Sequence, residues 1–125
     1  MARILLADDS RLSRRILAGA LRAGGHDVRE ANDGAEALEA YRAERPDCLL
    51  TDLLMPNLDG FGLIEAVRCE DAGLPIVVAS ADIQQTSHDR CHALGVAALL
   101  TKPIKGEPLL AAVDGALNPT GTPSV

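Results

Sequence analysis

Short apolar runs alternate with longer segments of helical periodicity along the 125-residue chain. Runs of roughly four to eight apolar residues indicate buried strands, whereas apolar positions three and four residues apart indicate helices. The predicted strands span 3–8, 27–31, 48–53, 75–80 and 96–101. The predicted helices span 11–23, 35–45, 61–71, 83–94 and 109–117. This alternation predicts an α/β fold, in which helices cover both faces of a doubly wound parallel sheet.

The first helix illustrates how the pattern is interpreted. Ser10 precedes it and is suited to cap its N-terminus, while Gly24-Gly25 follows it and is suited to end it. The apolar positions expected to form its buried stripe are Leu12, Ile16, Ala20 and Leu21. Its arginines are expected to lie mostly outside that stripe.

Composition narrows the class of protein. The net charge is −6 and aromatic residues make up 2% of the chain, so neither a phosphate-backbone interface nor a base-stacking platform is expected. No apolar run approaches the roughly 18 residues that a membrane span needs, so we expect no membrane insertion. Cys48, Cys69 and Cys91 are an odd, widely spaced set, which favours reduced thiols and a cytoplasmic location.

Polar side chains follow four of the predicted strands. Asp8-Asp9 ends the first, Asp52 the third, Ser80 the fourth and Lys102 the fifth. Ligands of open parallel sheets bind beyond the carboxyl ends of the strands, so these groups should converge on one site. An acidic residue at a strand end often only caps the next helix, but four strand ends with such groups favour a site.

The chemistry of this set is restricted. Three neighbouring carboxylates repel one another, so they must bind protons or a cation. Mg²⁺ suits a partly open shell of oxygen ligands that also admits phosphate oxygens. An aspartate can act as a nucleophile and form an aspartyl phosphate, with lysine and hydroxyl groups stabilising the transferred charge.

These residues give the chain a family resemblance. Its motifs are Asp8-Asp9, Ala31-x-x-Gly34-x-Glu36-Ala37-Leu38, Asp52-x-x-Met55-Pro56-x-x-Asp59-Gly60, Ser80-Ala81 and Lys102-Pro103. The chain resembles the receiver domain of two-component response regulators over residues 2–117. Residues 118–125 are interpreted as a flexible tail or the start of a linker. The resemblance implies the CheY-like, flavodoxin-like fold with strand order 2-1-3-4-5.

The resemblance also implies residue roles. Asp52 is the expected phosphoacceptor, and Asp8 and Asp9 are the acidic pair that holds Mg²⁺, with Asp9 as the more direct ligand. The backbone carbonyl of Leu54 completes the protein ligands. Lys102 is expected to contact the phosphoryl group and to precede a cis peptide bond to Pro103.

Two further positions concern signal output. Ser80 corresponds to the family's switch hydroxyl, which moves towards the phosphoryl group. Leu99 departs from the family, which places Tyr or Phe three residues before the lysine. We therefore expect output through a shift of the fourth helix, because Leu99 cannot act as an aromatic rotamer switch. The sparse apolar stripe of that helix predicts that it is among the least stable elements.

The implied function is a regulatory switch and not an enzyme, although it assists its own phosphorylation and dephosphorylation. A histidine kinase or phosphotransfer protein would donate the phosphoryl group. A downstream effector or a fused output domain would be controlled through the face formed by helix 4, strand 5 and helix 5. The alternatives are an interaction module that is never phosphorylated and an aspartyl-phosphate hydrolase. Such hydrolases commonly need a carboxylate two residues after the nucleophile, and Leu54 occupies that position here.

Overall fold

A computed structural model describes residues 2–82 and 84–118, and in these residues five strands alternate with five helices. The strands are β1 (Arg3–Ala7), β2 (Asp27–Ala31), β3 (Cys48–Thr51), β4 (Ile76–Ser80) and β5 (Ala98–Thr101). The helices are α1 (Arg11–Ala23), α2 (Gly34–Ala43), α3 (Gly60–Glu70), α4 (Gln85–Ala93) and α5 (Gly106–Leu117). The predicted α/β class is confirmed.

All strand pairs are parallel, and the sheet order β2-β1-β3-β4-β5 confirms the order that the resemblance implied. The central strands β1, β3 and β4 are almost entirely buried, whereas the edge strands β2 and β5 are partly exposed. The strand order reverses between β1 and β3. A crevice therefore opens beyond the carboxyl ends of these two strands.

Alternate residues of the central strands supply two apolar layers. One layer packs against α1 and α5, and its strand members are Ile4, Leu6, Cys48, Leu50, Val77 and Ala79. The other packs against α2, α3 and α4, and its strand members include Leu5, Ala7, Leu49, Ile76 and Val78. Because both faces of the sheet are covered, the strands are continuous apolar runs instead of alternating ones.

The predicted buried face of α1 is wrong at two of its four positions. Leu12 and Ile16 are 68% and 54% exposed, whereas the buried residues of the helix are Leu17, Ala18 and Leu21. A helix advances about 100° per residue, so Leu12 and Leu21 point in opposite directions. The prediction combined residues from two faces, because Leu21 is buried and Ala20 packs partly buried against the same core, whereas Leu12 and Ile16 are exposed.

Several boundaries also differ from prediction. Helix α5 begins at Gly106 instead of residue 109, so Pro108 lies within its first turn, where an absent N–H is tolerated. The predicted start of the fourth helix at Ile83 and all of the predicted tail except Asn118 lie outside the described residues. None of the helices in residues 2–82 and 84–118 combines the length and apolar character that crossing a bilayer would require.

Candidate functional site

Three aspartates meet at the carboxyl ends of β1 and β3. Carboxylate oxygens of Asp8, Asp9 and Asp52 lie within 4.8 Å of one another. Asp8 is 1% exposed and Asp52 is 9% exposed, whereas Asp9 is open to solvent. Within residues 2–82 and 84–118, no other three potential metal-ligating side chains come this close together. We call this group the acidic pocket.

Lys102 reaches the acidic pocket from the end of β5. Its Nζ donates to Oδ2 of Asp8 at 2.7 Å and to Oδ2 of Asp52 at 2.9 Å. Burial lowers the pKa of Lys102, but the hydrogen bonds and charges of both aspartates outweigh burial and leave that pKa raised. The peptide bond from Lys102 to Pro103 is cis, as the resemblance implied.

The charge balance of the acidic pocket fits a divalent cation. With its three carboxylates ionised and Lys102 protonated, two negative charges remain uncompensated. Hard oxygen donors of this kind are the ligands that Mg²⁺ takes in proteins, usually with retained waters. The residues present therefore fit the Mg²⁺ ion that the resemblance implied.

Asp52 is held by the turn that follows β3. Its Oδ1 accepts a 2.6 Å hydrogen bond from the backbone N–H of Leu53, whose carbonyl accepts from the N–H of Gly60 at 2.9 Å. A Cβ on Gly60 would lie 2.1 Å from the carbonyl oxygen of Asp52. Glycine is thus required at the start of α3, because the helix begins directly against the backbone of Asp52.

The first turn of α1 holds Asp8. The N–H of Ser10 donates to Asp8 Oδ1 at 2.9 Å, and the hydroxyl of Ser13 donates to Asp8 Oδ2 at 2.7 Å. Arg14 Nη1 donates to the carbonyl oxygen of Asp8 at 2.8 Å. These contacts were absent from the sequence interpretation. The available signal was a serine one turn after the N-cap Ser10, on the helix that follows the acidic pair.

Ser80 lies buried at the end of β4 and connects to α4. Its Oγ accepts from the N–H of Asp82 at 3.1 Å. The carboxylate of Asp82 in turn accepts from the Ser87 hydroxyl at 2.6 Å and from the N–H of Gln84 at 3.0 Å. These two hydrogen bonds, led by that from Ser87, lower the pKa of Asp82. Three hydrogen bonds thus join the end of β4 to the first turn of α4.

The remaining predicted positions have less defined roles. The Leu54 side chain is 66% exposed, and its N–H lies 3.4 Å from Asp52 Oδ1, so its main chain runs beside the phosphoacceptor candidate. Leu99 is half-buried on β5 and packs against the α2–α3–α4 layer.

A groove beside the acidic pocket was not predicted. It holds about 350 Å³ between α1 and the segment after β5. Its lining residues are Ser10, Leu12, Ser13, Ile16, Leu17, Lys102, Pro103 and Ile104. The exposed side chains of Leu12 and Ile16 therefore form an apolar surface that leads to Lys102.

This protein has a doubly wound sheet, and clustered aspartates and a lysine lie where its strand order reverses. These features together define the receiver class of signalling domain. Residues 4–114 match the response regulator receiver domain family, and the chain belongs to that family. It is 39% identical to "Response regulator MprA" of Mycobacterium leprae over 120 residues, which cover 94% of this chain and 52% of MprA. The chain thus spans about half the length of that relative.

Two other relatives match over nearly their whole length. "Protein PilH" of Pseudomonas aeruginosa is 33% identical over 119 residues, which cover 94% of this chain and 98% of PilH. The solved structure of Vibrio cholerae chemotaxis protein CheY4 superposes with a TM-score of 0.87 at 30% identity. That alignment covers 93% of this chain and 98% of CheY4. The chain is therefore a CheY-like receiver domain.

Proposed function

We propose that residues 2–117 form a phosphorylation-controlled switch in which Asp52 accepts a phosphoryl group from a phosphohistidine in the cytoplasm. The observation that carries the proposal is the ammonium of Lys102, which bridges Asp8 and Asp52 beside Asp9. A carboxylate nucleophile, a fixed cation and a set of oxygen ligands then share one small site.

The transfer is a displacement at phosphorus. A carboxylate oxygen of Asp52 forms a new P–O bond while the P–N bond of the phosphohistidine breaks, and the imidazole leaves with the bonding electrons. Lys102 offsets the negative charge of the phosphoryl oxygens. A water molecule later attacks phosphorus, releasing orthophosphate and restoring the Asp52 carboxylate. The chain thus assists both of its own reactions while acting as a switch.

Mg²⁺ is held in this proposal by Asp9, Asp52 and the Leu54 carbonyl, with Asp8 supporting the site. When bound, the cation supplies further stabilisation of charge on the phosphoryl oxygens. With few protein ligands the affinity is modest. Replacing Asp9 by Ala should abolish phosphorylation but leave the fold intact, because the change also relieves repulsion among the carboxylates. Equal labelling of the wild type in excess chelator would contradict the Mg²⁺ requirement.

Labelling with a small acyl phosphate tests the phosphoacceptor. We expect mass spectrometry to find a single phosphoryl group on Asp52 in wild type and none in Asp52→Asn. Asp59→Asn is the matched control, because it makes the same charge change on an exposed residue and asparagine still caps α3. Persistent labelling of Asp52→Asn, or modification of another residue in the wild type, would reject the assignment.

The two alternatives make different predictions. An interaction module that is never phosphorylated would remain unlabelled in this experiment. A hydrolase would turn over a phosphorylated substrate repeatedly, which requires an acid near the nucleophile. Leu54 lies two residues after Asp52 with an apolar, exposed side chain and cannot supply a proton. Single labelling without multiple turnover therefore favours the switch.

The donor protein docks on the groove between α1 and Pro103-Ile104 in this proposal. The exposed side chains of Leu12 and Ile16 offer it an apolar contact, and the exposed Arg11 and Arg15 flank that contact with positive charge. An apolar surface rimmed by charge is typical of protein interaction sites. The partner would be a histidine kinase or a histidine phosphotransfer protein.

A rate comparison tests this docking surface. Ile16→Asp should slow transfer from a phosphorylated histidine phosphotransfer domain by at least about tenfold, because it places charge in an apolar contact. Labelling by acyl phosphate should stay unchanged, since the acidic pocket is intact. Gly19→Asp is the control, because it makes the same charge change at an exposed position of the same helix that has space for a side chain and lies outside the groove lining. A parallel loss of both reactions would instead indicate damage to the acidic pocket.

Output occurs through α4, β5 and α5, where an effector protein or a fused output domain would bind. The phosphoryl group draws Ser80 towards it, which alters the hydrogen bonds from Ser80 through Asp82 to Ser87. Leu99 has no polar tip to exchange between solvent and interior. Hydrogen exchange with and without a phosphoryl mimic should therefore change across residues 84–94. Unchanged exchange there, with changes confined elsewhere, would count against this route.

A further inference from the structure

The carboxylate of Asp8 is already occupied by donors from the chain. Its Oδ2 accepts from both the Ser13 hydroxyl and Lys102 Nζ, each at 2.7 Å. Its Oδ1 accepts from the N–H of Ser10 at 2.9 Å. A carboxylate oxygen offers about two acceptor positions. Both positions on Oδ2 are therefore filled before any cation binds.

The hydroxyl of Ser13 is not required by its helix. Ser10 already caps α1 by accepting from the N–H of Ser13 at 3.2 Å, a bond that uses the backbone of residue 13. Alanine has a higher helix propensity than serine within a helix. The hydroxyl hydrogen bond to the 1% exposed carboxylate of Asp8 thus serves the acidic pocket and not the fold.

We infer that Ser13 is a positioning residue that sets the cation affinity of the acidic pocket by occupying Oδ2 of Asp8. The inference rests on the proposed Mg²⁺ site. A hydroxyl donor stabilises the Asp8 anion in the metal-free protein and so reduces the negative charge that Asp8 offers to the cation beside it. Without that donor Asp8 is still oriented by Ser10 and Lys102. One acceptor position of Oδ2 then becomes free, so the carboxylate carries more negative charge towards any cation in the acidic pocket.

Calorimetric titration of MgCl₂ into the unphosphorylated chain tests the inference. Ser13→Ala should bind Mg²⁺ about threefold to tenfold more tightly than wild type, a fraction of the effect of a full charge-assisted hydrogen bond. Ser13→Thr keeps the hydroxyl and should stay within about twofold of wild type. Unchanged or weaker binding by Ser13→Ala would overturn the inference, as would an equal gain in Ser13→Thr.

A second readout separates this inference from the proposed function. The Mg²⁺ concentration that gives half-maximal labelling by acyl phosphate should fall in Ser13→Ala by the factor measured in the titration. If wild type binds Mg²⁺ but Asp52 is never labelled, the proposed function fails and the titration still decides the role of Ser13. If wild type binds no Mg²⁺ at all, both proposals are overturned.

Discussion

Helices α1 and α4 both follow a strand that ends at the site, but they are held in different ways. Helix α1 is capped by the Ser10 hydroxyl and buries Leu17, Ala18 and Leu21 against the sheet and α5. Helix α4 lacks a side-chain cap at its N-cap residue, and its buried residues are Ser87 and Cys91. The first helix therefore provides a fixed support for Asp8, whereas the fourth has little packing energy to hold one position.

Besides the buried Cys91, polar contacts hold α4 at both of its ends. At the N-terminal end, the carboxylate of Asp82 accepts hydrogen bonds from the N–H of Gln84 and the hydroxyl of Ser87. At the other end, the guanidinium of Arg68 donates to the carbonyl oxygens that follow the helix. An element with few buried apolar contacts shifts or opens at a lower free-energy cost than one packed through a broad apolar interface. The difference between the helices is consistent with the proposal that α4 moves on phosphorylation while α1 keeps Asp8 in place.

Truncating one core residue in α1 and one in α4 should give the largest difference in the free energy of unfolding. Leu21→Ala should lower the free energy of unfolding by about 2–5 kcal/mol, because it leaves a cavity at a fully buried position. Cys91→Ala removes a single buried sulfur atom from α4 and should cost about 1–2 kcal/mol. Urea denaturation of both variants measures the difference. Equal losses would show that α4 contributes as much packing energy as α1.

The fold and most of the acidic pocket could be predicted because they depend on local patterns. Continuous apolar runs identified the central strands, and parallel strands bring their carboxyl ends to one edge. Asp8, Asp52 and Lys102 were thereby placed together from sequence, as their hydrogen bonds now show. The strand order was available only from the family resemblance. No local pattern distinguishes it from other doubly wound orders.

What could not be predicted depends on tertiary packing. Leu12 and Ile16 are apolar, and periodicity alone cannot tell an exposed apolar position from a core position. Helix α5 begins at Gly106, in a region without an apolar period that could mark the start of a helix. The contact from Ser13 to Asp8 depends on how the first turn of α1 sits against β1. Sequence spacing does not specify a hydrogen bond of that kind.

Changes at Arg68 should test the anchoring of α4 at its C-terminal end. Its Nε and Nη2 donate to the carbonyl oxygens of Leu94 at 2.8 Å and Gly95 at 3.1 Å, and its Nη1 donates to that of Leu74 at 2.7 Å. Arg68→Met keeps the aliphatic stem but removes every donor, and should cost about 1–2 kcal/mol of unfolding free energy. Hydrogen exchange should accelerate in Cys91 to Val96 more than in α1.

Arg68→Lys tests whether the hydrogen-bond geometry of the guanidinium or its positive charge anchors the C-terminal end of α4. A lysine keeps the positive charge near the C-terminus of α4 but cannot reproduce the planar fork of donors. We expect it to lose nearly as much stability as Arg68→Met. If the lysine variant matched wild type, the helix dipole and not the hydrogen-bond geometry would be the main anchor.

Lowering the pH should weaken the hydrogen bonds that hold the N-terminal end of α4. We expect this to be the smallest of the predicted effects. The hydrogen bond from Ser87 and then that from the N–H of Gln84 lower the pKa of Asp82 below its ordinary value of 3.8, despite some opposing desolvation. A carboxyl group with a lowered folded-state pKa contributes stability above its unfolded pKa and loses it as pH falls through the folded value. NMR amide shifts of Gln84 and Ser87 should therefore move together below about pH 4, while that of Leu21 in α1 stays constant. Asp82→Asn cannot titrate and should remove the transition. If the transition survived in that variant, protonation of another group would be responsible, and Asp82 would not be the N-terminal anchor of α4.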